Sequence, residues 1–98
     1  MSRHMIAVKV RYHNILRKVA GRTEESIVLP VGASLHNALE HVGDRHGPRL
    51  RHMLFAPEGN VASYLVIFRN RTLVPHDQAH APLADGDELM FFPAISGG

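Results

Sequence analysis

The sequence predicts an α+β fold, and three patterns carry that prediction. Residues 6–13 alternate strictly between an apolar and a mostly polar face, as expected of a half-buried strand. A helical stripe of apolar residues follows Ser34, and Leu89–Phe92 is apolar on both faces. With 98 residues and 45% hydrophobic content, the chain is long enough for one core, so residues 1–98 are expected to form a single domain.

The first half of the chain predicts a hairpin followed by one helix. Residues 14–22 are predicted to be a long connector closing on Gly21, and residues 26–31 alternate again, with Ile27, Leu29 and Val31 inward. Ser34 offers an N-cap hydroxyl. The helix is expected to reach Arg45 or His46 before Gly47-Pro48 stops it. Gly43 lowers its stability by about 1 kcal/mol relative to Ala.

The second half predicts short elements leading to a final strand. In chain order these are a helical turn at 49–55, a loop at 56–62, a strand at 64–69, a short edge at 72–74 and a surface connection at 75–84. Asp85-Gly86-Asp87 is predicted to be a structural turn that launches the last strand, since Gly accepts the positive φ that such turns require.

The last strand is apolar on both faces, with Leu89 and Phe91 on one and Met90 and Phe92 on the other. Two interpretations remain open. A central strand covered on both sides explains the pattern and is favoured for Phe91. For Phe92, a partner interface at the strand's end explains it equally well. Pro93 is predicted to end the pairing and to stiffen the exit of the chain.

The sequence ends on Ile95-Ser96-Gly97-Gly98, and residues 94–98 are expected to form a flexible tail. Two glycines remove every Cβ near the terminal carboxylate, which lets an extended chain enter a narrow channel. This terminus is the best candidate for the chemistry. An ordinary frayed end, or a cut chosen by an experimenter, is the alternative. Whether residues 1–4 are native stays open.

Composition excludes several classes of site. Cysteine is absent, so disulfides, thiolate nucleophiles and cysteine-based metal clusters are excluded. No apolar run approaches the roughly 20 residues of a membrane helix, and no signal-peptide core follows Met1, so a cytoplasmic protein is expected. The net charge is +2, with most basic residues in the first half of the sequence. This polarity is a clue to docking.

The chain resembles the MoaD/ThiS-like sulfur carriers of the ubiquitin-like β-grasp group. The resemblance rests on Pro82-Leu83, residues 85–88, Phe91-Phe92-Pro93 and the closing Ser96-Gly97-Gly98, with weaker similarity over most of the chain. It implies a mixed sheet of four to five strands packed on one main helix.

The resemblance also implies a function without a catalytic site in the chain itself. An E1-like activating enzyme would use ATP to adenylate the carboxylate of Gly98, and a sulfur donor protein would convert the adenylate to a thiocarboxylate. The chain itself would bind no cofactor and no metal. Gly97 and Ser96 would give the tail access to the pocket of a synthase such as the molybdopterin synthase large subunit. Phe92, Pro93 and Ile95 would contact these partners.

The subfamily is less sharply defined by the sequence. Phe-Phe-Pro favours the molybdopterin synthase small-subunit type, although Ala94 stands where those proteins often have a second Pro. The ending Pro-Ala-Ile-Ser-Gly-Gly and the long stretch at 49–63 also resemble carriers that feed cysteine synthesis. Relatives that are attached to lysines through the terminal glycine make a protein modifier a further alternative.

Histidines and basic residues suggest two other kinds of site. The sequence contains eight histidines, but His36 and His41 lie about 140° apart on a helix and cannot share an ion, while His76 and His80 have only Asp77 nearby. Solvated histidines are therefore favoured over a metal site. A basic cluster suggests nucleic-acid binding, but no aromatic residue is interleaved with it, so a solvated face or a dock for acidic partners is favoured. That cluster comprises Arg45, His46, Arg49, Arg51 and His52.

Overall fold

A computed structural model describes residues 4–94 of the chain. The elements in chain order are β1 (Met5–Tyr12), α1 (Ile15–Ala20), β2 (Glu24–Pro30), α2 (Leu35–His46), α3 (Pro48–Leu54), β3 (Leu65–Arg69), β4 (Thr72–Leu73) and β5 (Glu88–Pro93). A 3-10 turn at His76–Gln78 lies within the connection from β4 to β5.

The strands form one mixed sheet in the order β2-β1-β5-β3-β4. The central pair β1 and β5 is parallel, and the other pairs are antiparallel. Inward side chains of the sheet pack with α1, α2 and α3 in one core. Among residues 4–94, no helix covers the opposite face, which we call the open face. The α+β class and the ubiquitin-like β-grasp arrangement are thus confirmed.

The central position of β5 explains its two apolar faces. Leu89 and Phe91 are fully buried against the helices, whereas Met90 and Phe92 are half-buried on the open face. Phe91 lies opposite Tyr12 of β1 on one side and opposite Ile67 of β3 on the other. The core assignment of Phe91 is confirmed.

The connector predicted at residues 14–22 contains a helix, so that prediction was wrong in part. Leu16 and Ala20 of α1 are buried four residues apart on one face, which anchors this short helix to the core. Gly21 ends it in the left-handed conformation at φ 79°, and its N–H donates to the carbonyl of Arg17 at 2.9 Å.

Val31 was predicted to face inward but is 60% exposed. The strand ends one residue earlier, at Pro30, and Gly32 follows with φ 93°. The N–H of Ala33 donates to the carbonyl of Pro30 at 3.0 Å, so the chain turns before Val31 can be covered by the helices.

The predicted N-cap of α2 is confirmed as a capping box. The Ser34 hydroxyl accepts the Asn37 N–H at 3.1 Å, and the Ser34 N–H donates to the Asn37 side chain at 2.9 Å. The helix continues past the buried Gly43, where a Cβ atom would meet the Arg51 side chain of α3 at 3.3 Å. Glycine thus permits α3 to pass close by. Within residues 4–94, no helix has the length and apolar character that crossing a membrane requires.

Candidate functional site

The position of the candidate site depends on the turn before β5. This turn fixes the start of the strand and therefore also the place of its C-terminal end. Gly86 adopts φ 87°, and its N–H donates to the carbonyl of Ala7 at 2.8 Å. The Asp85 carboxylate accepts the Ala7 N–H at 2.7 Å. These bonds tie the turn to β1, and the Lys9 N–H continues the ladder by donating to the carbonyl of Asp87 at 2.9 Å.

Asp87 ties the same turn to the β3–β4 hairpin. Its buried carboxylate accepts the Ala84 N–H at 2.7 Å, the Asn70 side-chain amide at 2.8 Å and the Arg69 guanidinium at 2.8 Å. Burial alone would raise the pKa of Asp87, but these hydrogen bonds and the Arg69 charge outweigh it and hold that pKa below its usual range. Asn70 also accepts the Glu88 N–H at 2.9 Å. The start of β5 is therefore fixed to both of its neighbours.

At the other end of β5, the open face of the sheet carries five half-buried side chains that we call the Phe92 surface. The surface comprises His13, Val66, Phe68, Met90 and Phe92. In the β3–β5 register, Phe92 lies opposite Val66 and Met90 lies opposite Phe68. The Phe68 ring meets the Phe92 ring edge-on, with centroids 5.7 Å apart and an interplanar angle of 80°.

His13 closes the other side of this surface. Its backbone N–H donates to the carbonyl of Phe91 at 3.2 Å, and its ring stacks on Phe92 with centroids 4.0 Å apart. Burial, followed by the positive charges of Arg11 and Arg17, lowers the pKa of His13. The ring is therefore neutral near pH 7, and the surface is apolar with a cationic rim.

The predicted partner contacts Phe92 and Pro93 lie on opposite faces of β5. Phe92 lies on the open face as the interface interpretation requires, but Pro93 is buried and lies opposite Leu65. Pro93 therefore does not present apolar surface, and it does not end the pairing, since the Ala94 N–H donates to the carbonyl of Tyr64 at 2.7 Å. The predicted site residues Ile95, Ser96, Gly97 and Gly98, and the tail apart from Ala94, lie outside the described residues.

His13 and Phe68 were not predicted from the sequence as parts of the site. Both signals were present in the pattern. His13 shares the parity of the outward residues of β1, and Phe68 follows the inward Ile67, which makes β3 apolar on both faces as β5 is. Local periodicity does not show which strands are neighbours, so it could not predict that β1, β5 and β3 lie side by side.

A second polar cluster, also missed, lies at Glu25. Its side chain is 3% exposed and accepts hydrogen bonds from the Tyr12 hydroxyl at 2.5 Å and from the His46 ring at 2.6 Å, with Arg22 and Arg45 at 3.4 and 3.7 Å. Burial would raise the pKa of Glu25, but the hydrogen bonds from Tyr12 and His46 and the charge of Arg45 outweigh it and hold that pKa below its usual range. Burial, and then the bond to Glu25, raise the pKa of Tyr12. The cluster joins β1, β2 and the end of α2.

The Glu25 cluster includes two residues of the predicted basic cluster. Arg45 and His46 face Glu25, and Arg51 pairs with Asp44 at 3.1 Å while lying over the Phe55 ring at 5.0 Å. These three members of the basic cluster thus have partners within the fold. Their engagement leaves less free charge for phosphate than the sequence suggested.

The histidines are spread over separate contacts. His36 stacks on His80 with centroids 5.0 Å apart, and its ring nitrogen lies 3.1 Å from the carbonyl of Gly59. The ring of His76 lies 2.5 Å from the carbonyl of Leu65. Within residues 4–94, no three histidine or acidic side chains are grouped so that they could hold a metal ion.

The sequence from residue 10 to residue 98 matches the family model described as the ThiS family. A comparison with curated protein sequences finds no match. Among solved structures, the chain is similar to SAMP1 of Haloferax volcanii, at 27% identity and TM-score 0.81 over 94% of this chain and 99% of that one.

Two further structures are similar over nearly their whole length. A Pyrococcus furiosus protein assigned as molybdopterin converting factor, subunit 1, is 29% identical with TM-score 0.75, over 92% of this chain and 99% of that one. A chain of the BexX/CysO complex of Amycolatopsis orientalis is 26% identical with TM-score 0.67, over 93% and 99%. Because the family match covers most of the sequence and the fold is shared, the chain belongs to the ThiS family, whose members are ubiquitin-like sulfur carriers and modifiers.

Proposed function

We propose that the chain is a sulfur carrier whose Gly98 carboxylate is adenylated and then converted to a thiocarboxylate. The observation that carries this proposal is the family match, which continues through residue 98 and so includes the closing Gly97-Gly98. The structure supports the proposal through β5. This central strand is hydrogen-bonded to both β1 and β3, and the closing residues follow it in the sequence.

The chemistry requires an activating enzyme because a carboxylate is a poor electrophile. A carboxylate oxygen of Gly98 attacks the α-phosphorus of ATP, pyrophosphate leaves, and an acyl adenylate forms. Hydrosulfide delivered by a sulfur donor protein then attacks the carbonyl carbon, the bond from that carbon to the phosphate oxygen breaks, and AMP leaves with its electrons, which gives the thiocarboxylate without a change of oxidation state. The chain supplies the carboxylate and the docking surface, while the enzyme supplies the catalytic groups. No cofactor is bound by the chain in this scheme.

The Phe92 surface supports docking to such an enzyme. Its aromatic rings and Met90 are residue types enriched in protein interfaces, and the stacked His13 holds Phe92 in place before binding. Arg17 on the exposed face of α1 gives the rim a positive charge that suits an acidic partner. We place this exchange in the cytoplasm.

For the acceptor, we propose molybdopterin synthesis, with the chain acting as the small subunit beside a larger synthase subunit. The similarity to the Pyrococcus furiosus protein assigned as molybdopterin converting factor, subunit 1, favours this acceptor. The similarity to the BexX/CysO complex keeps another sulfur acceptor, including one in cysteine synthesis, as the competing pathway.

A second function is favoured by the similarity to SAMP1, since small archaeal modifier protein 1 is named as a modifier. In that function, the activated carbonyl of Gly98 would be attacked by a lysine amine of a target, with loss of the activating group and formation of an isopeptide bond. The same terminus serves both reactions, so they differ only in the nucleophile.

The direct test is intact-mass spectrometry of the chain after incubation with its activating enzyme, ATP and a sulfur donor. Replacement of one oxygen by sulfur at Gly98 is expected, and deletion of Gly98 should abolish it without changing the melting temperature. Absence of this exchange in the intact chain would overturn the proposal.

Deleting the gene in the host separates the acceptors, because loss of molybdoenzyme activity indicates molybdopterin whereas cysteine auxotrophy indicates cysteine synthesis. Isopeptide adducts isolated from the host would favour the modifier.

A further inference from the structure

We propose that the free edge of β2 pairs with β2 of a second copy, so that the chain forms an antiparallel dimer with one continuous sheet. Within residues 4–94, β2 and β4 are the edge strands of the sheet, and they differ in length. β4 exposes only two residues, whereas β2 runs for seven residues from Glu24 to Pro30 along the other edge. An edge of this length presents a row of unpaired backbone groups that template a further strand.

The hydrogen bonds to β1 identify which groups face the free edge. The Tyr12 N–H donates to the carbonyl of Thr23, and the Val31 N–H donates to the carbonyl of His4. With the β1–β2 register, these bonds show that odd-numbered residues of β2 bond to β1. The even-numbered residues Glu24, Ser26, Val28 and Pro30 therefore direct their backbone groups outward. Pro30 has no N–H. Because it is one of the residues that face away from β1, the hydrogen bonds between β1 and β2 are complete without that donor.

These outward groups are self-complementary in one antiparallel register. With Ser26 opposite Val28 of the second copy, each of these pairs exchanges two backbone hydrogen bonds. The same register puts Glu24 opposite Pro30, so that the Glu24 N–H meets the Pro30 carbonyl and the absent proline donor is the only loss at each end. No two like charges face each other directly, because Glu24 lies opposite a proline.

Exposed apolar side chains beside this edge also favour pairing with a second copy. Val28 is 54% exposed and Met5 is 53% exposed, and both lie on the open face. The register places Ala7 next to Val28 and Pro30 next to Met5, which makes an apolar strip along the edge. In the dimer, Val28 packs beside Ser26 of the second copy and across the two-fold axis from the other Val28. Pairing through β2 thus removes apolar area from water as well as satisfying the edge.

The dimer goes beyond the carrier function and is compatible with it. β5 runs parallel to β1 and antiparallel to β2, so the Phe92 surface lies towards the beginning of β2. Antiparallel pairing puts the two Phe92 surfaces at opposite ends of the joined sheet. Each copy therefore keeps its own docking surface free.

Sedimentation velocity of the full chain over a wide concentration range tests the proposal. Dimer formation is expected at high concentration, and Val28→Lys should raise the dimer dissociation constant about tenfold or more by placing like charges near the axis. Val31→Lys is the matched control, since Val31 is equally apolar and 60% exposed but lies beyond the strand. A wild-type chain that stays monomeric throughout, or an equal effect of the two lysine variants, would overturn the proposal.

The register of the dimer can be tested separately with introduced cysteines, because the chain contains no cysteine of its own. Paired residues in this register have Cα atoms about 5.5 Å apart, within the range that a disulfide spans. The double variant Ser26→Cys/Val28→Cys should form a covalent dimer linked between positions 26 and 28 on oxidation, as read by peptide mapping. Either single variant should remain uncrosslinked, since equivalent residues then lie about 7–8 Å apart across the axis. Efficient crosslinking of Val28→Cys alone would contradict this register.

Discussion

The ring of His13 lies parallel to the ring of Phe92, with an interplanar angle of 3° and centroids 4.0 Å apart. The Phe68 ring meets the same phenyl group edge-on at 5.7 Å. Phe92 is therefore held between the His13 ring, directly after β1, and the Phe68 ring of β3 before any partner arrives. A contact residue that is already ordered loses less conformational entropy on binding, which suits it to anchor an interface.

Phe92→Ala should weaken binding to the activating enzyme about tenfold or more, because a central aromatic anchor contributes most of an interface's energy. Isothermal titration calorimetry measures the affinity, and thermal unfolding should show only a modest loss of stability because Phe92 is half-buried. Phe91→Ala is the matched contrast. Its fully buried ring should cost about 3–5 kcal/mol of unfolding free energy. If Phe92→Ala unfolds the domain as Phe91→Ala does, Phe92 is a core residue.

His13 should make the fold less stable in mild acid. Burial, with Arg11 and Arg17 next, lowers the pKa of His13 from its ordinary 6.5, so the unfolded chain binds more protons than the folded one below that pH. Stability from this group is complete above pH 6.5 and falls as the pH drops towards the folded pKa. Urea unfolding at successive pH values should show a weaker dependence in His13→Gln than in the wild type. An identical dependence in the two proteins would contradict the assignment.

Asp87→Asn should lower the unfolding free energy by about 1.5–3 kcal/mol, because a buried charge-assisted network loses its anion. Asp85→Asn is the control, since its exposed carboxylate accepts one hydrogen bond from the Ala7 N–H. The lowered pKa of Asp87 also means that its contribution is present above the ordinary pKa of 3.8 and is lost as the pH falls further. Chemical denaturation of both variants measures the difference, and equal losses would argue against the network.

The strands and α2 could be predicted because their patterns are long and regular. Strict alternation located β1, and a capping hydroxyl with a helical stripe located α2. The six-residue α1 was missed because only Leu16 and Ala20 report its period, and Asn14 provides no side-chain cap. The parallel pairing of β1 with β5, which creates the Phe92 surface, is a contact between the two ends of the chain. Local periodicity carries no information about such long-range pairing.

The Glu25 cluster was missed for a different reason. Glu25 has the same parity as the inward residues Ile27 and Leu29, but a strand predicted to begin at Ser26 excludes it. A carboxylate at an inward position was the available signal, because a buried charge requires partners. Those partners, Tyr12 and His46, come from two other elements and were not visible in the local pattern.

Glu25→Gln should cost about 3 kcal/mol of unfolding free energy or more, since it leaves the partners of a buried charge without their anion. Tyr12→Phe is the smaller companion change, because it removes one hydroxyl and about 1 kcal/mol. Denaturation of the single and double variants gives the coupling between the two residues. Additive losses would contradict a shared network, because contacting partners are expected to couple.

Gly97→Val should separate the chemistry of the terminus from the stability of the domain. A branched side chain beside Gly98 narrows the approach to the activated carbonyl, so the rate of thiocarboxylate formation should fall roughly 100-fold, the cost typical of a small misplacement of reacting groups. Single-turnover assays with the activating enzyme measure that rate. The melting temperature and the affinity for the enzyme should stay at their wild-type values, because the Phe92 surface is unchanged. Ser96→Ala, one position earlier, is the control and should react at the wild-type rate. If Gly97→Val reacts equally fast, the tail does not enter a narrow channel, and the closing glycines have no role in access.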